Sequence, residues 1–209
     1  MFPCHRATFL YPMTTVYIFH GAGAGHQSDF LSGFRAELEI ATREYKSLTI
    51  ESYTLEYMAE MEQSGKRRPP PNIKTLIDEA VFKISPNEPV ILIGKSMGAR
   101  MIAELCQTHN VQACVALGYP FYPTKKPDKD RLYHLQATKG VPFKVIQGTR
   151  DALGDRAWVC TQSLPINISV EWVEGADHDF NVLKRYNMSR NVVLETLART
   201  TCEFIKPYV

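Results

Sequence analysis

The chain has no hydrophobic run near the roughly 18 residues that a membrane-spanning helix needs. It also lacks a cysteine framework. Cys4, Cys106, Cys114, Cys160 and Cys202 are widely and irregularly spaced, with no C-x-x-C pair and no finger-like Cys/His spacing. A disulfide scaffold is therefore excluded as the organising device, and no structural zinc site is expected. An odd, unpatterned set of thiols suits a reducing compartment, so a cytoplasmic location is expected. Met1–Thr15 lacks the apolar core and small-residue cleavage site of a secretory leader. Excess charge of either sign is missing too: 24 Lys and Arg stand against 22 Asp and Glu, for a net charge of +2. Neither nucleic acid nor an anionic membrane is an expected partner. Repeats and low-complexity linkers are absent.

What remains is an ordinary globular composition, 44% hydrophobic and 22% charged over 209 residues. That excludes disorder, collagen-like repeats and coiled coil, and predicts one domain over 1–209 around one core. Short apolar runs alternate with helix-period segments. Strands are expected at Val16–His20, Ser47–Tyr53, Pro89–Ile93, Gln112–Leu117, Pro142–Gln147 and Ile166–Val173. Helices are expected at Gln27–Tyr45 (with Ser28 as N-cap), Asn72–Ile84, Ser96–His109 and Asn187–Ile205. Tyr57–Pro71, polar and ending in three prolines, reads as loop, as does Tyr119–Ala137. Strand–helix alternation implies the α/β class, with a mostly parallel sheet of about six strands covered on both faces.

The sharpest local signal is Gly94-Lys95-Ser96-Met97-Gly98, directly after a buried strand and opening a helix. A nucleophile elbow needs that context, because the turn must lift a serine hydroxyl clear of the sheet. The plainer alternative is a tight turn with Ser96 as a helix cap. A serine nucleophile needs a base, and the base needs an orienting acid. After Ser96, the strand at 142–147 runs into Gly148-Thr149-Arg150-Asp151, placing an acid beyond a strand's C-terminal end. The next strand leads to Asp177-His178-Asp179. His178 is the expected base, and Asp151 is preferred as the acid over Asp155, Asp177 and Asp179. His109 and His134 are expected to be solvated at helix ends or in loops. His20-Gly21-Ala22-Gly23-Ala24-Gly25 closes the first strand with small residues that let amides approach an oxyanion. The expected donors are the Ala22 and Met97 N–H groups. A nucleotide-binding reading of this loop fails, since neither G-x-G-x-x-G nor G-K-[ST] is present.

These motifs resemble the α/β hydrolases of the dienelactone-hydrolase-like branch. The closer resemblance is to compact bacterial members related to a testis-expressed protein and to a subunit of the non-specific-lethal chromatin complex. The matching stretches are His20–Gly25, Tyr57-Met58, Gly65–Pro71, Gly94–Arg100, Gly118–Phe121 with Pro123, Gly148–Asp151 and Asp177–Asp179. The resemblance implies a three-layer α/β-hydrolase sandwich and a Ser96–Asp151–His178 triad. The expected activity is hydrolysis of a small-molecule carboxylic ester or thioester through an acyl-enzyme, with no metal or organic cofactor. A non-catalytic interaction module of the same fold is the alternative.

Lys66-Arg67-Arg68 is either a solvated rigid loop or a holder for an anion beside the site. Arg68, Tyr119, Phe121 and Tyr122 are candidate pocket residues, although the aromatics could equally be packing. Lys95 could tune the local potential, and Arg100 is expected to tie the elbow helix to a carbonyl or carboxylate of a neighbouring loop. About 15 residues precede the first strand, so the first two strands of a full-sized hydrolase are expected to be missing or cut short. About 20 residues separate the fourth and fifth strands, which leaves room for a loop but no cap.

Overall fold

The computed structural model describes residues 13–138 and 140–209. Most of Met1–Thr15, with Cys4 and His5, lies outside them. Six strands form one parallel sheet in the order β2-β1-β3-β4-β5-β6. They are β1 (Thr14–Phe19), β2 (Leu48–Tyr53), β3 (Val90–Lys95), β4 (Val111–Leu117), β5 (Phe143–Gly148) and β6 (Ile168–Val173). The helices are α1 (Asp29–Ala41), α2 (Glu56–Ser64), α3 (Ile73–Val81), α4 (Met97–Leu105), α5 (Leu132–Gln136), α6 (Arg156–Val159) and α7 (Arg190–Ile205). The fold is the expected α/β-hydrolase architecture, without a separate cap domain among the described residues.

The sheet separates two apolar clusters because successive strand residues face opposite sides. On β3, Val90 and Leu92 join one cluster while Ile91 and Ile93 join the other. On β1, Tyr17 and Phe19 face the first cluster and Val16 and Ile18 the second. Tyr57, Leu76, Met101 and Leu135 bring α2, α3, α4 and α5 onto the first face. Phe34, Leu38, Leu197 and Ile205 bring α1 and α7 onto the second. Central β1 and β3 are wholly buried, whereas β2 and β6, at the two edges, alternate between exposed and half-buried residues. This is the signature of parallel strands covered on both faces.

Three expectations need correction. Tyr57–Pro71 is not all loop, because its first half forms α2. Tyr57, Met58 and Met61 sit on one face of a segment of good helix formers, and that face is buried against the first cluster. Gly65, in the left-handed conformation at φ 69°, ends the helix before the proline run. Tyr119–Ala137 likewise contains α5 near its end. Ser28 stands at the N-cap of α1 as expected, but its side chain makes no capping bond. Asn72 does cap α3, accepting the Lys74 N–H at 2.9 Å.

A close backbone-to-backbone approach lies where α4 leaves β3. A Cβ on Gly94 would fall 2.3 Å from the Gly98 carbonyl carbon and 2.5 Å from the Ala99 nitrogen. A Cβ on Gly98 would fall 2.6 Å from the Phe19 carbonyl oxygen. Both obstacles are backbone, which cannot step aside by changing rotamer. Gly94→Ala is expected to lower stability by about 3 kcal/mol, the upper end for a forced overlap in a packed core. A urea midpoint equal to that of the parent protein would show that the turn can yield.

Candidate functional site

The sheet order reverses between β1 and β3: the chain passes outward from β1 to β2, then returns to β3 on the other side of β1. Crevices of open parallel sheets form at such a point, beyond the strands' C-terminal ends. The loop after β1 and the turn after β3 meet there. Ser96, at the N-cap of α4, has φ 54° and ψ −109°. A positive φ is strained for a residue with a Cβ. It persists because Gly94 and Gly98 are locked together beneath the turn. The result is a serine side chain held above the sheet edge.

His178, in the loop after β6, reaches Ser96 Oγ through Nε2 at 2.8 Å. Its Nδ1 lies 2.8 Å from Asp151 Oδ2. Asp151 follows β5 and is fully buried. It also accepts the Leu153 N–H on Oδ1 at 2.8 Å and a Gln147 Nε2 hydrogen on Oδ2 at 2.8 Å. The three residues named from chain order thus form one hydrogen-bonded row. The rejected acids are engaged elsewhere. Asp155 caps α6 and accepts the Tyr122 hydroxyl at 2.6 Å. Asp177 accepts the Asp179 and Asn181 N–H groups. Asp179 lies 3.5 Å from Lys95 Nζ.

Ala22 and Met97 flank Ser96 and line the same cavity. Their N–H groups have no acceptor among the described residues. The Ala22 loop is tied from behind by His20, which is fully buried. His20 Nδ1 donates to the Gly21 carbonyl at 2.6 Å, and Nε2 accepts the Leu55 N–H at 3.0 Å.

Sequence patterns missed two supports. Gln147 bridges Asp151 to the loop after β4: its Oε1 accepts the Tyr119 N–H at 2.8 Å, and its Nε2 donates to the Tyr119 carbonyl at 3.1 Å. An amide at the buried end of a strand was the available signal. Lys95, 7% exposed, donates from Nζ to the His178 carbonyl at 2.9 Å. It therefore holds the His178 backbone from the end of the strand that leads into Ser96. Burial pulls the Lys95 pKa down, while the Asp179 and Asp151 charges oppose that shift.

The pocket expectations fare differently. Tyr119, Phe121 and Tyr122 are buried and line neither cavity beside Ser96. They stack edge-on with one another and with Trp158, so they pack beneath the site. Arg68 is exposed and pairs with Glu60, while Pro70 and Pro71 are the part of that loop that reaches the cavity. His134, expected to be solvated, is 1% exposed. It accepts from Arg100 Nη2 on Nε2 at 3.0 Å and donates from Nδ1 to Glu104 Oε1 at 2.5 Å. With its lone pair occupied by a guanidinium, the ring is neutral despite its carboxylate neighbour. Arg100 thus ties α4 to α5 through an imidazole, where a carbonyl or carboxylate was expected.

Two cavities open on Ser96. One, of about 460 Å³, is walled by Ala22, Pro71, Ile73, Leu76, Met97 and Leu153 and also holds Arg100 and Arg131. The other, of about 660 Å³, runs along the Gly21–Ala24 loop past Phe30 and Lys95 to His178.

The chain belongs to an α/β hydrolase domain family, whose model matches residues 12–206. No curated protein matches it. Among solved structures it is similar to a lidless α/β serine hydrolase from Xanthomonas campestris, with 14% identity and a TM-score of 0.60. That match covers 95% of this chain and 83% of the other. It is similar to a pyrethroid hydrolase from Sphingobium faniae JZ-2, with 14% identity, a TM-score of 0.59 and coverage of 92% and 97%. It is similar as well to an esterase from Pyrococcus furiosus, with 18% identity, a TM-score of 0.56 and coverage of 94% and 84%. At such identities the likeness establishes the fold.

Both buried histidines carry a pH consequence. Burial pushes the His20 and His134 pKa values below the usual 6.5. On acidification the unfolded chain therefore binds protons that the folded chain resists. Their contribution is complete above about pH 6.5, the unfolded value, and is lost as the pH falls toward the depressed folded values. The urea midpoint should drop between pH 7.5 and 5.5, and His20→Gln should shrink that drop. An unchanged pH slope in the variant would remove His20 from the account.

Proposed function

We propose that the protein is a serine hydrolase that cleaves a carboxylic ester or thioester of a small molecule through an acyl-enzyme. The observation that carries this reading is the Ser96–His178–Asp151 row, with both contacts at 2.8 Å, beside two free amides. His178 Nε2 takes the Ser96 proton as Oγ attacks the carbonyl carbon. Asp151 holds Nδ1–H, fixes the tautomer and stabilises the imidazolium that forms. The Ala22 and Met97 N–H groups receive the oxyanion. Collapse expels the alcohol or thiol, which takes its proton from His178. Water, activated by the same ring, then releases the acyl group. This chemistry needs no cofactor. The two cavities have the volumes of small-molecule sites. The resemblance to α/β hydrolases of the dienelactone-hydrolase-like branch agrees with this reading.

A fluorophosphonate probe tests the nucleophile, and a panel of p-nitrophenyl esters and acyl-CoAs tests the reaction. The folded wild-type protein should be labelled, and Ser96→Ala should not. Asp151→Asn should reduce kcat by about 10³- to 10⁴-fold through loss of the correct tautomer. An unlabelled, folded wild-type protein would favour a binding module built on the same fold.

A further inference from the structure

The smaller cavity beside Ser96 has an unusual charge balance. Among the described residues, its only charged lining residues are Arg100 and Arg131, and no carboxylate lines it. Neither guanidinium has a carboxylate within ion-pairing distance among the described residues. Arg100 is bonded to the neutral His134 ring, and Arg131 Nη1 has only the Pro120 carbonyl, at 3.4 Å. Burial disfavours the Arg131 cation, and the neighbouring Arg100 charge disfavours it further. Two like charges in a half-buried slot, walled by Ile73, Leu76, Met97 and Leu153, form a site short of one anion. The larger cavity differs, since its Lys95 and Arg190 are matched by Asp29 and Asp179.

The row of reacting groups assigns the two cavities to the two halves of a substrate. The leaving oxygen or sulfur must face His178 Nε2 to take its proton. His178 lines the larger cavity and not the smaller one. The leaving group therefore occupies the larger cavity and the acyl chain the smaller. Arg100 stands four residues beyond Ser96 on the same helical face, about 6 Å along the axis. A short aliphatic acyl chain reaching from Ser96 Oγ past Leu76 and Met97 would bring its far end to the arginine pair.

We infer that the smaller cavity selects acyl groups ending in a carboxylate, the half-esters or half-thioesters of short dicarboxylic acids, with Arg100 and Arg131 holding the terminal carboxylate. This rests on the ester or thioester hydrolase reading above. Arginine suits the role, because its planar fork matches a carboxylate with two parallel hydrogen bonds.

The test compares kcat/KM for p-nitrophenyl hemiglutarate and p-nitrophenyl pentanoate, which differ by the terminal carboxylate. The wild-type protein should favour the charged ester at least tenfold at low ionic strength, and added salt should reduce the preference. Arg131→Gln should cut that ratio at least tenfold, and Arg131→Lys should restore part of it. A purely structural role for Arg131 would lower both esters in parallel and leave the ratio intact. Calorimetric binding of glutarate to Ser96→Ala provides an arm that needs no nucleophile. Equal or faster cleavage of the pentanoate overturns the anion site and leaves the hydrolase standing. Glutarate binding lost in the Ser96→Ala, Arg131→Gln double variant, with no cleavage of either ester by wild type, supports the anion site and removes the hydrolase. Neither cleavage nor binding overturns both.

Discussion

The contact between Gly94 and Gly98 is the constraint on which the site depends. Any side chain at either position would strike backbone, and the pair allows α4 to start directly over the end of β1. That crossing obliges Ser96 to take a positive φ and brings the N-terminus of α4, with the Met97 amide, against the loop carrying Ala22. Much of the large core serves to hold this turn. β1 and β3 are buried along their whole length, and side chains on both faces prevent the strand ends from drifting.

A second set of contacts fixes the partners of Ser96. Asp151 and His178 come from different strand ends, and each is held by more than the other. Gln147 grips Asp151 and the loop after β4 at once, so the acid and the connection beneath the cavity move as a unit. Lys95 grips the His178 carbonyl from the residue before Ser96. A buried cation is costly, and burial does depress its pKa, yet the Asp179 and Asp151 charges keep the charged form favourable enough to serve as a strut.

The fold was legible because its signals are local and repeated. Six apolar runs separated by helix-period segments admit few arrangements beyond a parallel sheet. The row of Ser96, Asp151 and His178 was legible for a related reason: each residue follows the C-terminal end of a strand of one parallel sheet. What stayed hidden depends on contacts between distant segments. Tyr119, Phe121 and Tyr122 read as pocket residues by position. Only the packing of Trp158, some 36 residues on from Tyr122, shows them turned inward. His134 looked like a loop histidine because nothing local announces that Arg100 and Glu104, on another helix, enclose it. Helix α2 escaped because its acidic, polar surface hides a three-residue apolar stripe.

The absence of a cap has a kinetic side. With no cap domain over Ser96 among the described residues, both cavities beside it open to solvent. In the proposed chemistry, an acylated serine would then meet water at its full 55 M concentration, about the molarity of the pure liquid, ahead of any dilute alcohol or thiol. Such a site commits its intermediate to hydrolysis rather than to transfer. Selectivity in that chemistry would then rest on what the walls of the two cavities accept.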